Sequence, residues 1–355
     1  WVSDWFPHVA THADDLAVIK SCVSDGINHA GGVCQMNTGS VFGGRPSLGA
    51  WVDYGLGTEN KDLPGFVVIK DSEKEVVNGV RNWGTGFMPA VHQGVEFSSA
   101  GSPIRNLQNP KGHDDARQRD KLALLAEINR THAATRPDNT ELEARIRSYE
   151  LAYAMQAQAP GTVDLSKETT ATKTLYGLDE KETAVFGRNC LLARRLVERG
   201  VRFVQIFHRG WDQHGNLPND IKAQCKDIDQ GAWALIQDLK RRGMLDDTLV
   251  VWGGEFGRTV YSQGALTKTN YGRDHHPRNF CMWMAGAGVK GGMTLGETDE
   301  FSYNVVKDPV HVRDLHATIF NRFGIDHDKL VFKYQGLDQK LIGVVPAKVV
   351  KGILS

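Results

Sequence analysis

The sequence predicts an α/β domain in which a mainly parallel central sheet carries helices on both faces. Three observations support that prediction. Short apolar runs recur at PGFVVI (64–69), VRFVQIF (201–207), LVVW (249–252) and FCMWMA (280–285). Helical stretches alternate with several of them, and strand–helix–strand order builds a parallel sheet covered on both sides. The runs at 201–207 and 249–252 lead into glycine, acidic and imidazole residues, as expected where strands deliver polar groups to the carboxyl edge of a sheet.

The chain of 355 residues is read as a single domain over 1–355, with 41% hydrophobic residues, 8 Trp and 14 Phe to form a core. Its 42 basic and 42 acidic residues cancel, so no global field favours nucleic acid. The five cysteines are odd in number and lack CxxC spacing, which argues against a thiolate zinc site or a disulfide framework. No membrane span is expected, because no apolar run reaches the required length. The opening WVSDWFPHVATHADDLAVIKS starts mid-pattern, so upstream sequence is expected to precede Trp1.

Residues 1–24 read as a helix and then a strand over Leu16–Ser21. The Gly-, Asn- and Ser-rich stretch from Asp25 to Trp51 suits a loop and a helix N-terminus at a site. PGFVVI is a strand, and 71–112 reads as an irregular excursion. The charged helical pattern at 114–159 is a decoration of the domain, with Pro137-Asp138-Asn139 dividing it into two helices. Thr183–Arg199 is a helix stopped by Gly200, and Val201–Phe207 is the next strand. Asp220–Arg242 is a helix with Ile228, Leu235, Ile236 and Leu239 inward. Strands follow at Leu249–Trp252 and Phe280–Ala285, and a helix at Asp314–Phe323.

The chemistry candidates lie at strand ends. Asp212 and His214 follow a strand, which suits a cation held on a rigid edge; the competing reading is an Asx-turn aspartate with a surface histidine. Glu255 is the first acid after the run from Leu249, and it is either a metal ligand or a partner for Arg258. Arg258 itself suits an anion, because the guanidinium fork matches phosphate or sulfate oxygens. His275 and His276 are adjacent, so in an extended segment at most one points into a given site. Asp274 is expected to orient a histidine ligand. His208, His311 and His316 are weaker candidates, His316 being read as packing within a helix. Thr38, Ser40 and Ser47 lack a neighbouring base, no GxSxG elbow is present, and no nucleophile is identified. GAGVKG (286–291) fits GxGxxG but opens no helix and is read as a turn.

These motifs resemble known families. KRRGMLDDTLVVWGGEFG, HHPRNFCMWMAGAGVKGG and VRDLHATIFNRFGID resemble segments of the alkaline phosphatase and sulfatase superfamily. GWDQHGN, GEFGRT, GRDHHP, RPSLGAWVDYGLG and LPGFVV resemble domain of unknown function 1501 over nearly the whole chain. The resemblance implies a three-layer α/β/α alkaline phosphatase-like fold with bound divalent metal (Zn, Ca or Mg) and hydrolysis of a small-molecule or glycan sulfate or phosphate ester. It also implies export to the periplasm and a first strand upstream of Trp1. Asp212, His214, Glu255 and His275 fall on metal positions, and Asn28 and His29 fall near the nucleophile position, with Arg258 as the anion clamp. Phe256 stands where the superfamily has a histidine ligand, no Cys, Ser or Thr stands at the nucleophile position, and Cys34 lacks the sulfatase context. A one-metal hydrolase whose activated water attacks directly and a catalytically silent binding or scaffold protein are the alternatives.

Overall fold

The computed structural model describes residues 2–71, 75–99, 103–104, 109, 111–136 and 140–355. Helix α1 (Pro7–Ala10) leads into β1 (Ala17–Val23), and then α2 (His29–Thr38) and α3 (Leu48–Leu56) follow. The Asn28 and Ser47 side chains cap α2 and α3 by accepting the backbone N–H of Gly31 and Ala50, donors that a first turn otherwise leaves unpaired. Strand β2 (Phe66–Lys70) is next, and β3 (Val95–Ser98) lies within the stretch expected to be irregular.

The helical decoration is α4 (Asp115–Ala134) and α5 (Thr140–Val163). The predicted break at Pro137-Asp138-Asn139 lies outside the described residues. Next come α6 (Thr170–Leu175), α7 (Ala184–Glu198), β4 (Phe203–Phe207), α8 (Leu217–Arg241) and β5 (Val250–Trp252). Gly200 and Gly243 follow α7 and α8 at φ of 84° and 68°, left-handed positions that end a helix at little cost in glycine. Strands β6 (Gly257–Gln263) and β7 (Gly272–His276) pair as an antiparallel hairpin. The chain then forms β8 (Phe280–Ala285), β9 (Met293–Leu295), β10 (Glu297–Thr298), β11 (Val305–Lys307) and β12 (Val310–His311). It ends through α9 (Val312–Arg322), β13 (Phe332–Tyr334) and β14 (Leu337–Gln339).

The expectation of one mainly parallel sheet is corrected. The larger sheet has the order β12–β1–β8–β5 with β9 also on β1, and β8 runs antiparallel to both β1 and β5. A parallel return needs a crossover, usually a helix, whereas β5 and β8 are joined by the β6–β7 hairpin. The chain leaves β5 and re-enters β8 at the same edge. A separate parallel sheet has the order β3–β2–β4.

Helices cover both faces, and the side-chain period of two shows it. In β8, Trp283 and Ala285 pack with Cys190 and Leu191 of α7 and Ile228, Ile236 and Leu239 of α8. Phe280, Met282 and Met284 point the other way, against Leu315 and Ile319 of α9. Each Leu, Ile, Met or Phe side chain buried in this way contributes roughly 1.5–3 kcal/mol. Met155, Ala159 and Val163 of α5 join β2, β3 and α7 in a further core, so the second half of the decoration is part of the packed interior.

Candidate metal centre

Four side chains meet at the edge where β4 and β5 end. His29 begins α2, Asp212 and His214 lie on the loop from β4 to α8, and His275 is in β7. One ligand atom from each lies within 4.8 Å of the others. Two glycines allow the approach. A Cβ on Gly32 would lie 2.8 Å from Glu255 Cγ and 2.8 Å from Phe256 Cδ1, so glycine lets α2 press His29 against the end of β5. A Cβ on Gly272 would lie 2.0 Å from the His214 carbonyl carbon, so glycine also lets β7 pass beside that loop.

The three imidazoles are held in the same way. His29 Nδ1 lies 2.6 Å from Glu255 Oε1, and His275 Nδ1 lies 3.0 Å from the Ile27 carbonyl oxygen. His214 Nδ1 meets Gln263 Oε1. Each Nδ1 therefore faces an oxygen that only accepts, and the neutral tautomer that donates there leaves a lone pair on Nε2. All three Nε2 atoms converge on Asp212 Oδ1, at 3.0 Å from His29, 2.8 Å from His214 and 3.3 Å from His275. His214 Nε2 and His275 Nε2 are 3.0 Å apart. His29 Nε2 is buried and makes no hydrogen bond of proper geometry, although Asp212 is within ion-pair distance. Three nitrogen lone pairs and a carboxylate oxygen packed this closely repel one another unless a cation or protons lie among them. The donor set fits a divalent ion.

The charges respond to this crowding. The Glu255 hydrogen bond raises His29 above the usual imidazole range, burial opposes it, and Asp212 adds to the rise. Burial by itself would raise Asp212, but the close approach of the His29, Arg258 and His275 side chains outweighs it and holds the carboxyl well below its usual range. Arg258 Nη2 donates to Asp212 Oδ1 at 2.8 Å and to the Trp211 carbonyl at 2.7 Å. Arg258 stands directly opposite His275 in the β6–β7 register, which puts both on one face of the hairpin. His276 takes the other face, stacked on Tyr303 at 4.3 Å. The Phe256 ring lies 4.5 Å from His275 and 5.1 Å from His29, an apolar wall beside the cluster.

Among the residues singled out from sequence, His29, Asp212, His214 and His275 are brought together here. Glu255 lies one step behind them, on His29, and Arg258 is on Asp212. Exposed Asn28 uses its side-chain oxygen to cap α2. Asp274 accepts the backbone N–H of His275 at 2.7 Å, while the imidazole itself is oriented by Ile27. His208 takes a hydrogen bond from Trp211 Nε1 at 2.8 Å, His311 caps α9, and His316 holds the Met36 carbonyl at 2.8 Å. Gln263 and the Ile27 carbonyl carry no sequence signal, because neither belongs to a metal-binding motif.

The fold and the cluster define a mixed α/β protein with a three-imidazole, one-carboxylate centre at a strand edge. The chain belongs to the family described as protein of unknown function DUF1501, whose family model matches residues 1–354. No curated protein matches it in sequence. Among solved structures it is similar to the PsFucS1 sulfatase from Pseudoalteromonas sp., at 11% identity and a TM-score of 0.43, covering 96% of this chain and 66% of that one. It is also similar to the phosphonate monoester hydrolase SpPMH from Silicibacter pomeroyi, at 12% identity and a TM-score of 0.37, covering 90% and 68%. A third, Ps i-CgsB, has 11% identity and a TM-score of 0.42, and this chain covers 66% of its length. The described helices include none long and apolar enough to cross a membrane.

Proposed function

We propose that the protein is a one-metal hydrolase of anionic esters, with His29, Asp212, His214 and His275 holding the ion. The observation that carries this reading is the shared orientation of the three imidazoles, each tied at Nδ1 to an oxygen with Nε2 turned toward Asp212 Oδ1. Three nitrogen donors and one oxygen favour zinc or a similar transition ion over magnesium or calcium, which prefer all-oxygen sets. A bound divalent ion supplies Lewis-acid activation of water and of an ester oxygen.

The residues supply the rest. Glu255 keeps His29 in the tautomer that presents Nε2. Phe256 shields one side of the imidazoles from water. Arg258 adds a cation whose fork suits a phosphate or sulfate oxygen. With a divalent ion in place, the ion and Arg258 outweigh the carboxylates of Asp212 and Glu255, and a net positive centre attracts an anionic substrate, small molecule or glycan.

A second reading, binding without turnover, is favoured by one observation. Arg258 Nη2 is already engaged by Asp212 and Trp211, and among the described residues no Ser, Thr or Cys side chain hydrogen-bonds to the four-residue cluster. Turnover of 4-nitrophenyl phosphate and 4-nitrophenyl sulfate by zinc-loaded protein separates the two readings. Hydrolysis that depends on zinc and falls at least tenfold in Arg258→Ala supports the hydrolase; tight zinc binding with no turnover of any ester supports the silent binder.

A further inference from the structure

The hairpin beside the metal centre carries a second arginine. Residues two apart on a strand share a face, so Arg273 of β7 lies on the side of His275. Arg258 of β6, opposite His275, lies on that face too. Asp212, Arg258, Val260 and Arg273 line one cavity. The Arg258 guanidinium reaches over β7, where Nη1 donates to the Arg273 carbonyl at 3.4 Å and Nη2 to Asp212 Oδ1 at 2.8 Å. The backbone N–H of Arg273 donates at 3.0 Å to the carbonyl of Gln213, the residue between Asp212 and His214. Arg273 is thus tied directly to the loop that bears two of the four ligands.

A bulge fixes its side chain. Arg258 pairs with His275 and Ser262 with Arg273, so Thr259, Val260 and Tyr261 stand against Asp274 alone. Extra residues in one strand re-aim side chains, and such bulges gather beside active sites. Buried Thr259 holds both strands here: its hydroxyl accepts the Asp274 N–H at 3.0 Å, and its carbonyl accepts Arg273 Nη1 at 2.6 Å. That carbonyl brings no negative charge. Arg258 meets Asp212 at 2.8 Å, and Arg209, on the approach to the same loop, meets Asp71 at 2.9 Å. Among the described residues no carboxylate pairs with Arg273, and its Nε and Nη2 make no hydrogen bond. Those two nitrogens form one edge of the planar fork, the edge that takes a carboxylate or phosphate side-on.

We propose that Arg273 binds a second anionic group on the substrate: the ester carries a carboxylate, sulfate or phosphate on its alcohol part, besides the group held by the ion and Arg258. This rests on the hydrolase reading and adds to it the recognition of the alcohol part. The fork is held in place by Thr259 before any ligand arrives, so little freedom is lost when an anion docks on its open edge. His275 and Arg273 are two residues apart on one strand, roughly 7 Å between backbone positions. A short spacer therefore joins the two anionic groups.

Calorimetric titration of zinc-loaded protein with 3-phosphonopropionate and with propylphosphonate tests this without turnover. The two compounds differ by a carboxylate in place of a methyl group. The proposal predicts that 3-phosphonopropionate binds the wild type about tenfold tighter or more, the weight of one charge-assisted hydrogen bond. In Arg273→Gln, which keeps a donor for the Thr259 carbonyl but no charge, the preference falls below about twofold. Arg273→Lys, which keeps the charge, retains part of it. Equal affinities in the wild type overturn the proposal and leave the hydrolase reading standing, since the phosphonate still binds. A preference that persists undiminished in Arg273→Gln also overturns it, because the carboxylate is then held elsewhere. Zinc-loaded wild type that binds neither compound overturns the hydrolase reading and this proposal with it.

Discussion

Glu255 holds His29 by the nitrogen that faces away from Asp212. The Nδ1–Oε1 distance is 2.6 Å, and the opposite nitrogen, Nε2, lies 3.0 Å from Asp212 Oδ1. A carboxylate behind a histidine fixes its tautomer and makes its free nitrogen a better donor. Glu255→Gln is therefore expected to weaken zinc binding by about 10- to 100-fold without changing its stoichiometry. Competition against a chelating zinc indicator measures this, and an unchanged affinity would remove Glu255 from the centre.

Protons compete with the ion at His29. Its pKa is raised, first by the Glu255 hydrogen bond, so protonation begins above the usual imidazole value of about 6.5. Metal binding needs the neutral ring, so the apparent zinc affinity falls as pH drops through that pKa, by about tenfold per pH unit for one competing proton. Equilibrium dialysis between about pH 8 and 6 follows the slope. Glu255→Gln shifts its onset to lower pH.

His316 gives the fold a sensitivity to acid that is separate from the metal. Burial pushes its pKa down to about 4, and its Nε2 holds the Met36 carbonyl at 2.8 Å. Between about pH 6.5 and 4 the unfolded chain binds a proton at this site and the folded chain does not. Stability therefore falls as pH drops through that window, by on the order of 3 kcal/mol from this group. Urea unfolding at about pH 7 and 4.5 is expected to show a smaller acid loss in His316→Gln than in the wild type.

Arg194 anchors α7 with a buried network. Its guanidinium, 1% exposed, lies 2.8 Å from Glu168, 2.7 Å from Glu198 and 2.9 Å from Asp238. Removing the guanidinium leaves the buried Glu168 and Asp238 with only Arg195 and Arg242 beside them, so Arg194→Ala is expected to cost roughly 3 kcal/mol in chemical unfolding. A loss below about 1 kcal/mol would mean that water reaches these carboxylates.

The sequence made the local elements legible, and they were local for a reason. Gly200 and Gly243 are chain-local stops, and the apolar run at Phe280–Ala285 forms β8. The direction of β8 was not legible, because it depends on a hairpin whose strands, GRTVYSQ and GRDHH, carry no strong turn dipeptide between them. β3 was missed within a glycine- and asparagine-rich stretch that shows no period-two run. Asp212, His214 and His275 stood out as acids and imidazoles near strand ends. The place of Glu255 behind His29 was not readable, because that contact joins residues 226 apart in sequence. Phe256 was visible as a departure at a histidine position, but its packing on His275 depends on how close Gly32 lets α2 come.

The account rests on one cation held by four side chains, and zinc titration by calorimetry tests it most directly. Wild-type protein, Asp212→Asn and His275→Ala would be titrated alongside one another, with folding checked by circular dichroism. The account predicts about one ion per wild-type chain, as expected for a tetrahedral donor set, and no saturable binding in either variant. Folded wild-type protein that binds no zinc, or variants that bind it as well as wild type, would contradict the metal centre.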